Sequence, residues 1–409
     1  MWSGTESTLA DPALRVLMLA PTPYFADRGC HVRIYEEART LTRLGHQVCI
    51  VTYHLGRDMP GVTTVRIPRI PWYTKLEAGP SWHKPYLDLL LLITACRSAR
   101  SFRPDLIHAH LHEGALVGWV LKKLLDLPLL FDYQGSLSGE SLNHGFLRQK
   151  SLLHRIFVSI EGFINRSADG IITSSGEGRR ELIADFGIGP DKIRTLIDGV
   201  DVEVFKPGSR QQARQELGIA QDAQVVVYLG LFNQYQGVDL LLETIAIVRD
   251  QLPEAHFLLM GFPDQEYRRK AARMGVDDII TFTGRVSYGS APLFLSAGDL
   301  AVSPKLARTE ANGKLFNYMA CGLPTVAFES AVNREILAKC GIYADYGSVA
   351  SLAERMVSAL NDRDLLATLG QQSRQRAVQV HSWQVRGRDL LQTYRDLIRH
   401  KGEKNTAPG

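Results

Sequence analysis

No apolar run in this chain is long enough to cross a membrane. The greasiest stretch, YLDLLLLITAC (86–96), is about half of what a spanning helix needs. The basic segment RSARSFRP follows it, so a core helix with a solvated end accounts for it better than a membrane-surface role. Cysteine is scarce and unpatterned: Cys30, Cys49, Cys96, Cys321 and Cys340 are odd in number and lack CxxC spacing. That disfavours a disulfide framework and a cysteine-type zinc site, and reduced cytosolic thiols are the simplest expectation. Charge of one sign is missing too. Against 43 acidic residues stand 47 basic ones, a net charge of +4 that does not argue for nucleic acid. The start, MWSGTESTLADPALRVLML, has no basic segment ahead of a long apolar core, so no secretory leader is expected. There is no G-x-G-x-x-G, no short-period repeat and no low-complexity tract.

What is present is an alternation of short β-rich runs with helical stretches, and it occurs twice. With 409 residues, two domains are the default. In the first half RVLMLA (15–20) reads as a buried strand, a polar loop and a helix from about His31 to Leu44 follow, and HQVCIVTY (46–53) is the next strand. TTVRIP, DLIHAH, LPLLFDY, DGIITSS and KIRTLID are further strands of a mainly parallel sheet. The pattern pauses near Phe205 to Arg210, where Lys-Pro-Gly and a polar run suggest a linker. It restarts with AQVVVYLG (223–230), the helix GVDLLLETIAIVRD, and the strands AHFLLMG, IITFTG and DLAVSP. The last stretch, HSWQVRGRDLLQTYRDLIRHK, has Trp383, Leu390, Leu391, Tyr394 and Leu397 on one helical stripe. Two such halves create a cleft, and ligands of open α/β sheets bind outside the carboxyl ends of the strands.

The chemistry should therefore sit in the strand-to-helix loops. Gly29 lies between a strand and a helix, where it allows close backbone approach to a ligand. DLIHAHLHEG sets His108, His110 and His112 at a strand end; only Glu113 joins them at ligand spacing, so a hydrogen-bonding role at the cleft rim outweighs zinc. In the second half Gly230 closes a strand, and Asn233, Gln234, Tyr235 and Gln236 bring donors to the next helix start. FTGRV contributes Arg285. The stretch ARTEANGKLFNYMACGLPTVAFES (307–330) combines Arg308, Glu310, Asn312, Gly313 and Lys314 in one turn before a helix. With Lys305, these cations and donors suit a ligand carrying a diphosphate.

The ordered series DLIHAH, IRTLIDGVDVEVFKP, VVYLG…QGVDLLLE, FTGRV, SAGDLAVSP, KLFNYMACGLPTVAF and the terminal HSW helix resembles the GT-B-fold, retaining family-four glycosyltransferases, over about residues 14 to 399. The resemblance implies two Rossmann-like α/β domains: an acceptor-side domain at 14–207, a nucleotide-sugar-binding domain at 208–380, and a helix at 381–400 crossing back to the first. Residues 1–13 and 401–409 would be disordered ends. It implies a nucleotide-diphosphate-sugar donor of UDP or GDP type, an acceptor that is a sugar, a lipid-linked molecule or a small molecule, no cofactor and no metal. His110 corresponds to the strand-end histidine facing the donor sugar, and Gly29 to the glycine-bearing loop near the phosphates and acceptor.

The chain departs from the family where the diphosphate is usually gripped. The common Arg and Lys fall on Leu231 and Gln236, and the usual glutamate pair falls on Thr309, with Glu310 adjacent, and on Asn317. Lys314 matches the lysine of a subgroup reading K-[LI]-[FY]-x-Y-M-A and would replace the missing charge together with Lys305 or Arg308. Catalysis is thus expected of His110, Glu310 and Lys314. Gly29, Gly230, Asn233, Tyr235, Gln236 and Arg285 are expected around the donor, as are Lys305, Arg308, Asn312, Gly313, Leu315 and Asn317. Arg28, His112 and Gln134 are expected on the acceptor side, near the segments 67–86 and 135–157. The second segment alternates basic and apolar residues (Arg148, Lys150, Leu152, Leu153, Arg155, Ile156, Phe157), as a membrane contact at the inner face would require, although an amphipathic core helix explains it more simply. A sugar-nucleotide epimerase or hydrolase, or a binding protein with reduced catalysis, is the alternative on the same fold.

Overall fold

The structure is a computed structural model that describes residues 12–26, 29–76, 81–139, 151–307 and 311–406. Two sheets organise it. The first holds β1 (Arg15–Ala20), β2 (Gln47–Thr52), β3 (Thr63–Arg66), β4 (Leu106–His110), β5 (Leu129–Tyr133), β6 (Gly170–Thr173) and β7 (Ile193–Thr195), in the order β3-β2-β1-β4-β5-β6-β7. The second holds β8 (Gln224–Leu229), β9 (Ala255–Met260), β10 (Ile280–Gly284), β11 (Leu300–Ser303), β12 (Thr325–Phe328) and β13 (Gly341–Ala344), in the order β10-β9-β8-β11-β12-β13. Every neighbouring pair is parallel. Parallel sheets need helices on both faces, which is why β1 reads as an uninterrupted apolar run and Val16 through Ala20 are fully buried.

Helices cover the first sheet: α1 (Gly29–Arg43), α2 (Lys84–Phe102), α3 (Leu111–Leu125), α4 (Leu152–Ser167) and α5 (Gly176–Phe186). The linker region is more firmly held than its composition suggests. Phe205 is fully buried and packs on Tyr288 with ring centroids 5.1 Å apart, and Arg374 donates to its carbonyl at 2.8 Å. The second sheet is flanked by α6 (Arg210–Leu217), α7 (Val238–Gln251), α8 (Gln265–Met274), α9 (Ala291–Leu295), α10 (Gly313–Ala320), α11 (Ala331–Leu337), α12 (Val349–Leu360) and α13 (Arg363–Gln379).

The final helix, α14 (Trp383–Thr406), sets Leu390, Leu391 and Tyr394 into the core of the first sheet beside Ile34, Leu41 and Ile50. It runs past residue 400 to Thr406, so the expectation of a disordered tail from 401 is corrected: the amphipathic pattern ends there, but the backbone hydrogen-bond ladder does not. Residues 1–11 and 407–409 lie outside the described residues. No helix among the described residues is long and apolar enough to cross a membrane.

Candidate functional site between the two sheets

Each sheet reverses its strand order once, between β1 and β4 and between β8 and β11. Loops on either side of such a switch point diverge and leave a crevice at the carboxyl ends of the strands. Both crevices open into one cleft of about 860 Å³, lined by Pro21 to Pro23 after β1, Leu111 to Glu113 after β4, Gly230 and Leu231 after β8, and Lys305 and Ala311 to Lys314 after β11.

On the C-terminal wall the decisive side chain is Lys314. It is half-buried, donates to Gln236 Oε1 at 2.6 Å and stands 4.3 Å from the centre of the Tyr228 ring. Burial first, and then the neighbouring Lys305, hold its ammonium well below the usual lysine range. Lys305 is itself buried and donates to the Ala311 carbonyl at 2.7 Å. Gly230 makes room for this arrangement: at φ +155° a β-carbon there would come within 2.9 Å of Lys314 Nζ. Asn312 turns inward to Ser303 Oγ and Asn333 Oδ1, both at 2.9 Å, so α10 starts without a side-chain cap. Uncapped helix-start amides facing a cleft attract anions.

On the N-terminal wall Leu111 adopts φ +61°, a left-handed conformation that a branched side chain seldom takes. This turns the chain out of β4 and brings His112 to the cleft. The imidazole lies edge-on against Phe131 and Tyr133, with Nε2 3.5 Å from Glu161 Oε1. Glu161 also accepts from the amides of Leu137 and Ser138 at 3.0 and 2.9 Å. Burial alone would raise its carboxyl, but His112 and Ser138 hold it below the usual range.

Beneath His112 runs a buried polar network. His110 Nδ1 is 3.0 Å from Asp132 Oδ2, which also receives Arg33 Nε at 3.0 Å and Gln134 Nε2 at 2.7 Å. Burial would push the Asp132 carboxyl up; Arg33 and His110 overcome that and keep it well below the ordinary value. His108 stacks on His110 with centroids 4.2 Å apart and meets Tyr394 Oη of α14 at 2.8 Å. Glu37, His108, His110 and Asp132 hold ligand-type atoms within 4.8 Å of one another and could accept a metal ion by residue type. The Arg33 guanidinium already meets both carboxylates, at 3.1 Å from Glu37 and 3.0 Å from Asp132, so a cation is supplied from within.

A cleft with cations on one wall and hydroxyl and carboxylate groups on the other has its counterpart among known proteins. Residues 28–197 match the glycosyl transferase 4-like domain, and residues 223–362 match the glycosyl transferases group 1 domain. The chain is a glycosyltransferase of this family. Over 379 residues it is 26% identical to the sulfoquinovosyl transferase of Arabidopsis thaliana, covering 90% of this chain and 71% of that one. It is 24% identical over 395 residues to the D-inositol 3-phosphate glycosyltransferase of Thermobispora bispora, with 90% of each covered. In fold it is similar to sucrose-phosphate synthase from Thermosynechococcus elongatus (TM-score 0.79, 19% identity, 95% of this chain and 100% of that one). It is also similar to the HepE protein of Anabaena solved with UDP-glucose (TM-score 0.74, 18% identity, 94% and 100%). The architecture is GT-B.

Within this glycosyltransferase, Gly29, Gly230, Gln236, Lys305, Asn312, Gly313, Lys314 and Asn317 all line the cleft, as do His112 and Gln134. Five expected residues are placed otherwise. His110 is fully buried under the wall, because it is still a strand residue and its ring bonds Asp132, its neighbour in register on β5; His112, read as acceptor-side, is the histidine at the cleft. Leu315 is in the core of the second sheet. Asn233 caps the turn before α7, accepting from the Gln236 amide at 2.9 Å. Arg285 reaches across to the Ala26 carbonyl at 2.8 Å and lies over Phe262. Tyr235 is partly exposed beside the cleft, its carbonyl accepting from the Leu306 amide at 2.8 Å. Arg28, Arg308 and Glu310 lie outside the described residues.

Sequence reading missed Asp198, which lines the cleft from the segment after β7 and pairs with Arg33. The IDGVD turn was the available signal, read only as part of a linker. It also missed Tyr53 and Asp88, which share the N-terminal wall with Lys84 of the expected acceptor-side segment and with Glu113, weighed only as a neighbour of the histidines.

Proposed function

We propose that this glycosyltransferase moves a sugar from a nucleoside diphosphate sugar, of uridine or guanosine type, to an acceptor hydroxyl with retention of anomeric configuration, in the making of a glycan, glycolipid or cell-envelope polysaccharide. The observation that carries this reading is Lys314, a cleft-lining ammonium whose described partners are a neutral amide and an aromatic face. A half-buried cation so placed is costly until an anion arrives. A diphosphate against Gly313 and Lys314 supplies it, and the positive end of α10 adds to the attraction.

In the reaction the acceptor oxygen attacks the anomeric carbon from the face that the diphosphate leaves. The bond from that carbon to the diphosphate oxygen breaks as the new glycosidic bond forms, and the hydroxyl proton passes to the departing oxygen. Charge gathers on the leaving diphosphate, where Lys314 and Lys305 stabilise it, a contribution typically worth ~3 kcal/mol. His112, fixed by Phe131, Tyr133 and Glu161, meets the transferred sugar. Asn317, one helical turn beyond Lys314 and on the same wall, bonds the ribose. Arg308 and Glu310, from the same turn in sequence, are assigned to the diphosphate and the sugar hydroxyls. The reading invokes no cofactor or metal. A cytoplasmic setting belongs to it, since none of the five cysteines is in a disulfide.

Thermal unfolding with UDP, GDP and ADP tests the donor seat, because a ligand that binds only the folded state raises the melting point. A rise with UDP or GDP that vanishes in Lys314→Met is expected. No rise with any of the three, or one that survives the substitution, overturns the reading. Product anomers, read by NMR after turnover with a panel of sugar nucleotides, test retention.

A further inference from the structure

The N-terminal wall carries more apolar surface than a sugar needs. On α4, Leu153, Phe157, Ile160 and Ile164 recur at helical spacing and face the cleft, joined by Leu116 from α3. A second stripe on the same helix faces water: Leu152 is 74% exposed and Ile156 44%. Trp119 of α3 packs edge-on against Phe163 of α4, centroids 5.1 Å apart, so the two helices present one continuous surface. Next to it stands a polar group that the transfer reading leaves unused. Tyr53 Oη donates to Asp88 Oδ1 at 2.5 Å, and Lys84 donates to Glu113, all four lining the cleft beside His112.

We infer that the acceptor is an amphiphile: a hydroxyl-bearing head seated against Tyr53, Asp88, Lys84 and Glu113, with an apolar chain leaving along Leu116, Leu153, Phe157 and Ile160 toward a lipid surface. The inference rests on the glycosyl-transfer reading and names the substrate class of that same cleft. A head at Asp88 and Glu113 finds paired acceptors and donors, the set that sugar-like hydroxyls satisfy. Burial, and then Glu113, push the Asp88 carboxyl up to about 7, so it offers a donor as well as an acceptor near neutral pH. The apolar stripe continues from inside the cleft to the outside. A protein partner covering the outer stripe would leave the inner one, Leu153 to Ile160, facing water or sugar. An alkyl chain accounts for both.

Charge selects the surface. Glu161 is the one acidic residue of α4 and is fully buried, whereas Arg155 and Arg166 are exposed. An apolar helix face whose own exposed charges are cations suits an anionic bilayer.

The full chain is floated with vesicles of phosphatidylcholine, with and without a minority of phosphatidylglycerol. Flotation with the anionic vesicles is expected, and Leu152→Asn/Ile156→Asn should reduce it about tenfold while keeping the same melting-point rise with UDP or GDP. Should the pair fail to fold, Leu152→Asn alone, at the more exposed position, serves. In parallel, dodecyl maltoside below its micelle concentration should bind at least about tenfold tighter than maltose, read by tryptophan fluorescence. A chain that stays with the unfloated fraction, or binds both maltosides alike, overturns the inference. Failure of the donor reading is separate, since it removes the nucleotide response from the unaltered chain.

Discussion

Tyr288 Oη donates to Glu36 Oε1 at 3.0 Å and so ties the loop after β10 to the middle of α1, across the mouth of the cleft. Glu36 is fully buried and also receives Arg39 Nη2 at 2.7 Å. Burial outweighs the pull of Arg39 and pushes its carboxyl up to about 7, from the usual 4.5. The sign follows. A group whose folded value is raised costs the folded state nothing while protonated, and stability falls as pH rises from the unfolded value toward the folded one. Glu36→Gln keeps an acceptor for Tyr288 and does not titrate. Between about pH 5 and pH 8 the stability difference should move in the variant's favour by ~2 kcal/mol, read by denaturant unfolding.

Lys314 should report the arrival of the diphosphate. Its lowered value means that binding draws a proton into the cleft as pH rises through the value of the free protein, and that affinity for UDP or GDP falls over the same range. Calorimetry over a pH series, in pairs of buffers with different ionisation heats, should give binding enthalpies that differ in proportion to those heats. In Lys314→Met the difference should vanish and affinity should drop by ~10- to 100-fold.

The two histidines should separate cleanly. His112→Ala removes a cleft-lining ring and is expected to cut transfer by ~100-fold, at a smaller cost in stability than His110→Ala because Glu161 keeps the Leu137 and Ser138 amides. His110→Ala leaves Asp132, fully buried, short of one of its partners and should cost ~1–3 kcal/mol of stability, seen in urea unfolding. Equal loss of stability in both would mean that His112, too, is structural.

Two glycines of the donor wall should behave in opposite ways. Gly237 has φ +71°, and a β-carbon would meet the Pro304 carbonyl oxygen at 1.9 Å, backbone against backbone. Gly237→Ala is expected to destabilise by ~3 kcal/mol or more, measured by thermal unfolding. Gly313 has nothing within 4 Å of that position. Gly313→Ala should leave stability within ~0.5 kcal/mol and instead weaken UDP or GDP, because its methyl occupies the phosphate seat.

Most of the scaffold was legible because buried parallel strands announce themselves as unbroken apolar runs. RVLMLA is β1 residue for residue, and HQVCIVTY contains the whole of β2. β13, Gly-Ile-Tyr-Ala, escaped notice: four residues opening on glycine give no run long enough to stand out. In the turn before α10, a lysine beside two small polar residues was enough to mark Asn312, Gly313 and Lys314, all of which line the cleft. Leu315 was misplaced because the next residue round the helix points into the core.

The linear order of residues by itself determined two parallel α/β units, the loops at their strand ends and the cationic turn, since periodicity, glycine and charge are local properties. Tertiary structure alone decided which side chains look into the cleft. The left-handed turn at Leu111 sends His112 out while His110 stays below, and Tyr394 reaches His108 across 286 residues of sequence. Dihedral choices and long-range partners depend on what the rest of the chain packs against, and no short stretch contains that information.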